Sequence, residues 1–134
     1  MTSSRRLLAV LAHPDDESFG IGGTLARYAD EGVDVHIAIA TDGVAGSVIS
    51  GYEHTLAELA AVRRHELDEA IAVLGATLHT FGYRDSGYIG DPANQHPEAF
   101  INCNVDEAVG RVVALIRQIR PQVVITHDET GGYY

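Results

Sequence analysis

The sequence predicts an α/β fold: a Rossmann-like, layered parallel sheet with helices on both faces. Short apolar runs recur along the chain, segments with helical spacing separate them, and polar residues gather directly after the runs. At 134 residues the chain can form one domain with a core of its own. Hydrophobic residues make up 46% and charged residues 21%, the balance of an ordinary soluble globular protein. There are no internal repeats and no low-complexity tracts.

Residues Leu7 to Ala12 form a continuous apolar run, which reads as a strand covered on both faces. Val33 to Thr41 is rich in β-branched residues and reads as its neighbour. Between them, Gly22 to Glu31 carries Leu25, Tyr28 and Ala29 at helical spacing, with Gly32 where a helix stops. The pattern then repeats. Leu56 to Leu74 places Leu59, Val62, Leu67, Ile71 and Leu74 at roughly helical spacing and ends at Gly75. Leu78 to Phe81 is a third, shorter strand. Val105 to Ile119 is a further helix, with Val109, Val112, Val113 and Ile116 on one side. Pro121 prevents its continuation, and Gln122 to Thr126 reads as a fourth strand.

Two polar, Gly-rich segments, Asp42 to His54 and Gly82 to Phe100, do not fit this alternation. Loops that long inside a compact domain are commonly functional. In a parallel sheet, ligands bind beyond the carboxyl ends of the strands. The four strands deliver His13 to Glu17, Asp42-Gly43, Tyr83 to Gly87 and His127-Asp128 to that edge. Four polar clusters therefore converge on one candidate active site.

Nineteen acidic residues against nine Lys and Arg give a formal net charge of -10. That argues against general affinity for nucleic acid or an anionic membrane, both of which need a basic face. Arg5-Arg6 precedes an apolar run of six residues that ends at His13-Pro14, too short for a secretory signal. No stretch reaches the length of a membrane span. The lone Cys103 cannot form an internal disulfide, which fits a reducing, cytoplasmic setting. Oligomeric state is not readable from the sequence.

The chemistry is concentrated in His13-Pro14-Asp15-Asp16-Glu17. His13 and Asp16 offer a nitrogen and an oxygen donor three residues apart, in a turn that Pro14 stiffens. Zinc takes such mixed ligands, and iron can occupy a similar site. Neighbouring side chains in an irregular turn can point differently, so one carboxylate can hold metal while Asp15 serves as base. Zinc lowers the pKa of water to about 7, within reach of a nearby carboxylate. Set against this, three acids after a strand can also be a solvated loop that caps the next helix.

Ala12-His13-Pro14-Asp15-Asp16-Glu17 after an apolar strand resembles the LmbE-like, or PIG-L, family of zinc-dependent N-deacetylases. Ala61 to Leu67 is similar to that family's Arg-x-x-Glu-Leu helix. Arg84-Asp85-Ser86-Gly87 resembles a substrate loop, and Thr126 to Tyr133 resembles the approach to a second metal motif. The resemblance implies His13 and Asp16 as zinc ligands and Asp15 as general base. It implies Arg63, Asp85 and Ser86 as substrate-binding residues and Tyr133 near the tetrahedral oxyanion. Asp128 and His127 would stand behind the metal donors; for His127 a pocket-wall role and a substitute-ligand role are both open. Glu17 is structural in such proteins. The implied reaction removes an acetyl or other N-acyl group from a small amino sugar or sugar-thiol conjugate. The family pattern continues into a small residue and His-Pro-Asp-His, which supplies the third ligand and an oxyanion histidine. Nothing in the 134 residues matches that motif, so the resemblance implies an N-terminal portion that is weak in zinc binding and inactive by itself.

Other readings compete at particular residues. Gly20-Ile21-Gly22-Gly23 followed by Asp42 could belong to a dinucleotide-binding module. Seven residues separate the strand from Gly20, however, and Leu25 stands where the third glycine belongs. These glycines are better read as letting the helix start close beneath the metal loop. A catalytically inactive binding domain of the same fold is the second rival. A Ser-His-Asp hydrolase is disfavoured because no Gly-x-Ser-x-Gly elbow is present. Arg63 and Arg64 lie about 100° apart on a helix, so only one can face the pocket; Arg63 is expected inward. His36 and His79 are expected in packing roles, His54 and His65 on helix surfaces, and His96 exposed.

Overall fold

The computed structural model describes residues 5–52 and 57–131. Eight elements follow in order: β1 (Arg6–Leu11), α1 (Asp16–Phe19), α2 (Gly22–Asp30), β2 (Asp34–Thr41), α3 (Leu59–Leu74), β3 (Thr77–Tyr83), α4 (Val105–Ile119) and β4 (Val123–Thr126). The strands form one sheet in the order β3-β2-β1-β4, and every pairing is parallel.

β1 lies inside the sheet and is covered on both sides, which is why its sequence shows no alternation. Leu7, Ala9 and Leu11 join Val35, Ile37 and Ile39 of β2 beneath Leu25 of α2 and Leu67, Ile71 and Leu74 of α3. Leu8 and Ala38 face the other way, onto Leu115 and Ile119 of α4. Burying Leu25 completely stabilises the α2 side by about 1.5–3 kcal/mol.

α3 begins at Leu59, later than the spacing predicts, and Leu56 and His54 lie outside the described residues. β3 is longer than its apolar stretch. Its pairing with β2 runs from Thr77 through a register shift to Tyr83, because backbone hydrogen bonding carries polar residues along with apolar ones. Among the described residues, the α-helix the sequence pattern misses is α1, a single turn made of the motif residues themselves.

The segment after β3 is ordered. An isolated bridge joins Arg84 to Ala99, and Phe100 N–H donates to the Arg84 carbonyl at 2.9 Å. Two 3₁₀ turns, Pro92–Gln95 and Phe100–Asn102, complete it, the first capped by the Asp91 side chain accepting from Ala93 N–H. This fold-back returns the segment to the carboxyl end of the sheet. Among the described residues no helix is long and apolar enough to cross a membrane.

Candidate active site

The strand order reverses at β1, with β2 and β3 on one side of it and β4 on the other. Such a reversal opens a crevice beyond the carboxyl ends of the flanking strands. His13 to Glu17 leaves β1 there, and His127 leaves β4.

The turn after β1 is strained and held. Asp15 has φ 112° and ψ -27°, a region that costs a residue other than glycine about 1–3 kcal/mol. Glu17 fixes it from below. Its side chain is 1% exposed, with Oε2 accepting Asp15 N–H at 2.9 Å and Oε1 accepting the Ser18 hydroxyl at 2.8 Å. Asp16 turns elsewhere. Its Oδ2 accepts His13 N–H at 2.8 Å and lies 3.1 Å from His127 Nε2 and 3.7 Å from His13 Nδ1. The two adjacent aspartates therefore face different partners.

α3 turns Arg63 toward the turn and Arg64 to its exposed partner Asp68, 2.9 Å away. Arg63 Nη2 donates to Asp15 Oδ2 at 2.9 Å and to the Pro14 carbonyl. Its Nε is buried, has no hydrogen-bond partner among the described residues and sits against Gly43. A Cβ at Gly43 would lie 3.1 Å from Pro14 Cδ and 3.2 Å from Arg63 Nε, and the backbone there has φ 70°. Glycine is required on both counts.

Asp42, at the end of β2, ties two loops together. Its Oδ1 accepts Asp85 N–H at 2.9 Å and Val44 N–H at 3.2 Å. Asp85 is 4% exposed, and its Oδ1 lies 3.1 Å from His13 Nε2. Ser86 is held in the same network, its Oγ accepting Ile101 N–H at 2.9 Å.

The electrostatics follow from this crowding. Asp16 and Asp85 beside the His13 ring push it up to about 10 despite partial burial. Burial opposes ionisation of Asp16, yet the His13 ring and backbone hold its carboxyl down at about 2. Asp85 is likewise lowered against its burial, chiefly by His13. The site is a negatively charged nest closed on one imidazole, an arrangement that favours a cation.

A cavity of about 530 Å³ opens over this network, with His13, Asp15, Arg63, Asp85 and Ser86 in its lining. Tyr88, Ile89, Phe100 and Ile101 add an apolar wall to the lining. The sequence clusters include Gly43 but not this wall or Ala45; the fold-back after β3 supplies the wall, and Ala45 N–H reaches the cavity by donating to Asp85 Oδ2. Of the remaining expected residues, His127 sits against Asp16. Asp128 spends its Oδ1 on its own turn, accepting from Thr130 N–H, the Thr130 hydroxyl and Gly131 N–H. Tyr133 lies outside the described residues. His96, expected exposed, is half-buried and accepts Glu98 N–H within its turn. The glycine run before α2 packs as expected: a Cβ at Gly22 would come 3.1 Å from the Glu17 carbonyl oxygen.

In kind, the donor set fits zinc: an imidazole and a carboxylate, each oriented by further hydrogen-bonding groups. Among the described residues no three His, Cys, Asp or Glu side chains are grouped to hold a metal ion. The described part therefore offers His13 and Asp16 as a pair.

Comparisons with known proteins agree with this geometry. The chain is 48% identical over 141 residues to the 1D-myo-inositol 2-acetamido-2-deoxy-alpha-D-glucopyranoside deacetylase of Rhodococcus erythropolis, covering 98% of this chain and 48% of that protein. It spans about half the length of the curated relatives it matches. N,N'-diacetylchitobiose deacetylase from Pyrococcus horikoshii matches with a TM-score of 0.73 and 28% identity, over 94% of this chain and 42% of that one. A 4-carboxy-2-hydroxymuconate hydratase from Pseudomonas putida also gives 0.73, at 24% identity, over 97% of this chain and 50% of that one. That likeness shows the fold alone, and its name shows why fold does not settle chemistry. A family model described as GlcNAc-PI de-N-acetylase, PIG-L, matches residues 8–133. With nearly its whole length matched and the motif residues gathered at one cavity, the chain belongs to the PIG-L, LmbE-like family.

Proposed function

We propose that this protein is a zinc-dependent N-deacetylase acting on a small N-acetylated amino sugar, of the kind named for its Rhodococcus relative. The observation that carries the reading is the opposed pair of aspartates: Asp16 on His13 and His127, Asp15 on Arg63 at the cavity. His13 and Asp16 would hold the metal. When bound, zinc polarises the amide carbonyl and makes water a stronger acid.

The chain's own groups do the rest. Asp15 takes a proton from the attacking water and returns it to the sugar nitrogen, so water and amide become acetic acid and free amine. Arg63, 2.9 Å from Asp15 Oδ2, aims that carboxylate. Arg63 and Ser86 line the cavity where sugar hydroxyls would sit, with Asp85 at its floor. Tyr133 is assigned to the oxyanion by resemblance, and His127 and Asp128 to support of the metal donors. The activity belongs to the whole protein, of which this chain corresponds in length to about half of its relatives. A cytoplasmic setting is part of the same proposal, resting on the lone Cys103.

The test is release of primary amine from 1D-myo-inositol 2-acetamido-2-deoxy-α-D-glucopyranoside by the whole protein. Release that stops on chelation, returns with zinc and is lost in Asp15→Asn supports the reading. Undiminished release in Asp15→Asn, or after chelation, refutes it, as does the absence of release by the zinc-loaded protein.

A further inference from the structure

Asp85 lines the cavity but offers it almost no surface. It is 4% exposed, and the protein itself uses both carboxylate oxygens. Oδ1 accepts Ser86 N–H at 2.8 Å and lies 3.1 Å from His13 Nε2. Oδ2 accepts Ala45 N–H at 3.1 Å. Its own N–H is held by Asp42 at 2.9 Å. One carboxylate thus joins the loops that follow β1, β2 and β3.

The consequence for His13 comes from the inventory of an imidazole. A neutral ring carries one N–H donor and one lone pair, and a carboxylate accepts only. Both ring nitrogens face carboxylates, so in the metal-free site each carries a hydrogen; to hold metal, Nδ1 must give its hydrogen up, and the one that remains belongs on Nε2, which faces Asp85. Nδ1 is the nitrogen on the Asp16 side, 3.7 Å from Asp16 Oδ2. Metal-bound histidines commonly donate their other ring N–H to a carboxylate in this way, which fixes both tautomer and ring plane.

We infer that Asp85 is a positioning residue that acts through His13, fixing its Nε2–H tautomer so that the Nδ1 lone pair is turned toward Asp16. Contact with the sugar, the role the family resemblance implies, is a different assignment for the same side chain. The inference rests on the reading of His13 and Asp16 as the metal pair.

The experiment measures zinc affinity of the whole protein by competition with a chromophoric chelator. In parallel it measures binding of 1D-myo-inositol 2-acetamido-2-deoxy-α-D-glucopyranoside to metal-free protein. Asp85→Asn is expected to weaken zinc about 10–100-fold and to leave sugar binding unchanged. Zinc affinity within about twofold of the parent, or weakened sugar binding with zinc unaltered, overturns the inference. His13→Ala separates the two readings. Loss of zinc in His13→Ala but not in Asp85→Asn overturns the role of Asp85 alone, and retention of zinc in His13→Ala removes the metal pair itself. Long-range ¹H–¹⁵N spectra of the zinc-loaded parent need no variant. A protonated Nε2 on His13 is expected, and a protonated Nδ1 overturns the inference.

Discussion

Replacing Glu17 by Ala removes the acceptor beneath the most strained residue of the site. The carboxylate is 1% exposed and takes Asp15 N–H at 2.9 Å and the Ser18 hydroxyl at 2.8 Å. A hydrogen bond to a charged group is worth about 1.5–3 kcal/mol, and an orphaned buried N–H adds its own penalty. Asp15 recovers part of this if the turn relaxes away from φ 112°, because the strain stored there is about 1–3 kcal/mol. The net loss is then about 2–4 kcal/mol. Unfolding entropy of about 2.1 cal/mol/K per residue over 134 residues gives about 280 cal/mol/K. The melting temperature should therefore fall by about 7–14 °C, read by circular dichroism. Glu17→Gln keeps one oxygen and the volume, and should lose roughly half as much. A Glu17→Ala melting temperature within about 2 °C of the parent would show that the turn does not depend on this anchor.

Three further outcomes follow from the geometry. Arg63→Met leaves Asp15 Oδ2 without its 2.9 Å donor and should lower kcat on the order of 10²-fold; unchanged kcat in the amine-release assay would remove Arg63 from the mechanism. Gly87→Ala drives a Cβ into the Asp91 side chain, so Asp91 must leave the Ala93 N–H it caps. That variant should lose thermal stability, and adding Asp91→Ala should not lower it further; additive losses would contradict the clash. Burial, with His36 alongside, holds His79 below its ordinary 6.5. The unfolded chain then binds more protons just below that value, so stability falls as pH drops through about 6.5. In His79→Gln, denaturation midpoints should vary less between pH 7 and pH 5, and an unchanged slope would place the titrating group elsewhere.

The parallel sheet and its helices were legible because burial on both faces writes continuous apolar runs, as in Leu7 to Leu11, and helices write their own spacing. The candidate-site turn stands out in the sequence because His13, Asp15 and Asp16 are close together. What the sequence does not specify is which partners such residues meet across the chain. Arg63 reaches Asp15 over an intervening 47 residues of sequence through the placement of α3 on the sheet. Nothing local to Arg63 distinguishes it from Arg64 except helix phase. Asp42 reads as one of the polar residues at the strand edge, but nothing in the sequence shows that it holds Val44 and Asp85. The Tyr88 to Ile101 wall depends on the Arg84–Ala99 bridge, which leaves no periodic signature.

These cross-chain contacts share one physical task. A non-glycine residue at φ 112° stays there only if its surroundings outweigh the strain. Glu17 fixes the Asp15 backbone from within the turn, while Arg63 fixes its side chain from α3. Gly43 lets the loop after β2 close over Pro14 and Arg63, and Asp85 reaches His13 from the loop after β3. His127 arrives from β4 on the opposite side of the strand reversal. Every strand therefore contributes a constraint on five consecutive residues. A short motif can specify donors and a base, but their directions are imposed by the parallel sheet that delivers four loops to one edge. That division explains why the hydratase match at the same TM-score does not weaken the deacetylase reading: the shared sheet supplies the edge, and the chemistry resides in the side chains brought to it.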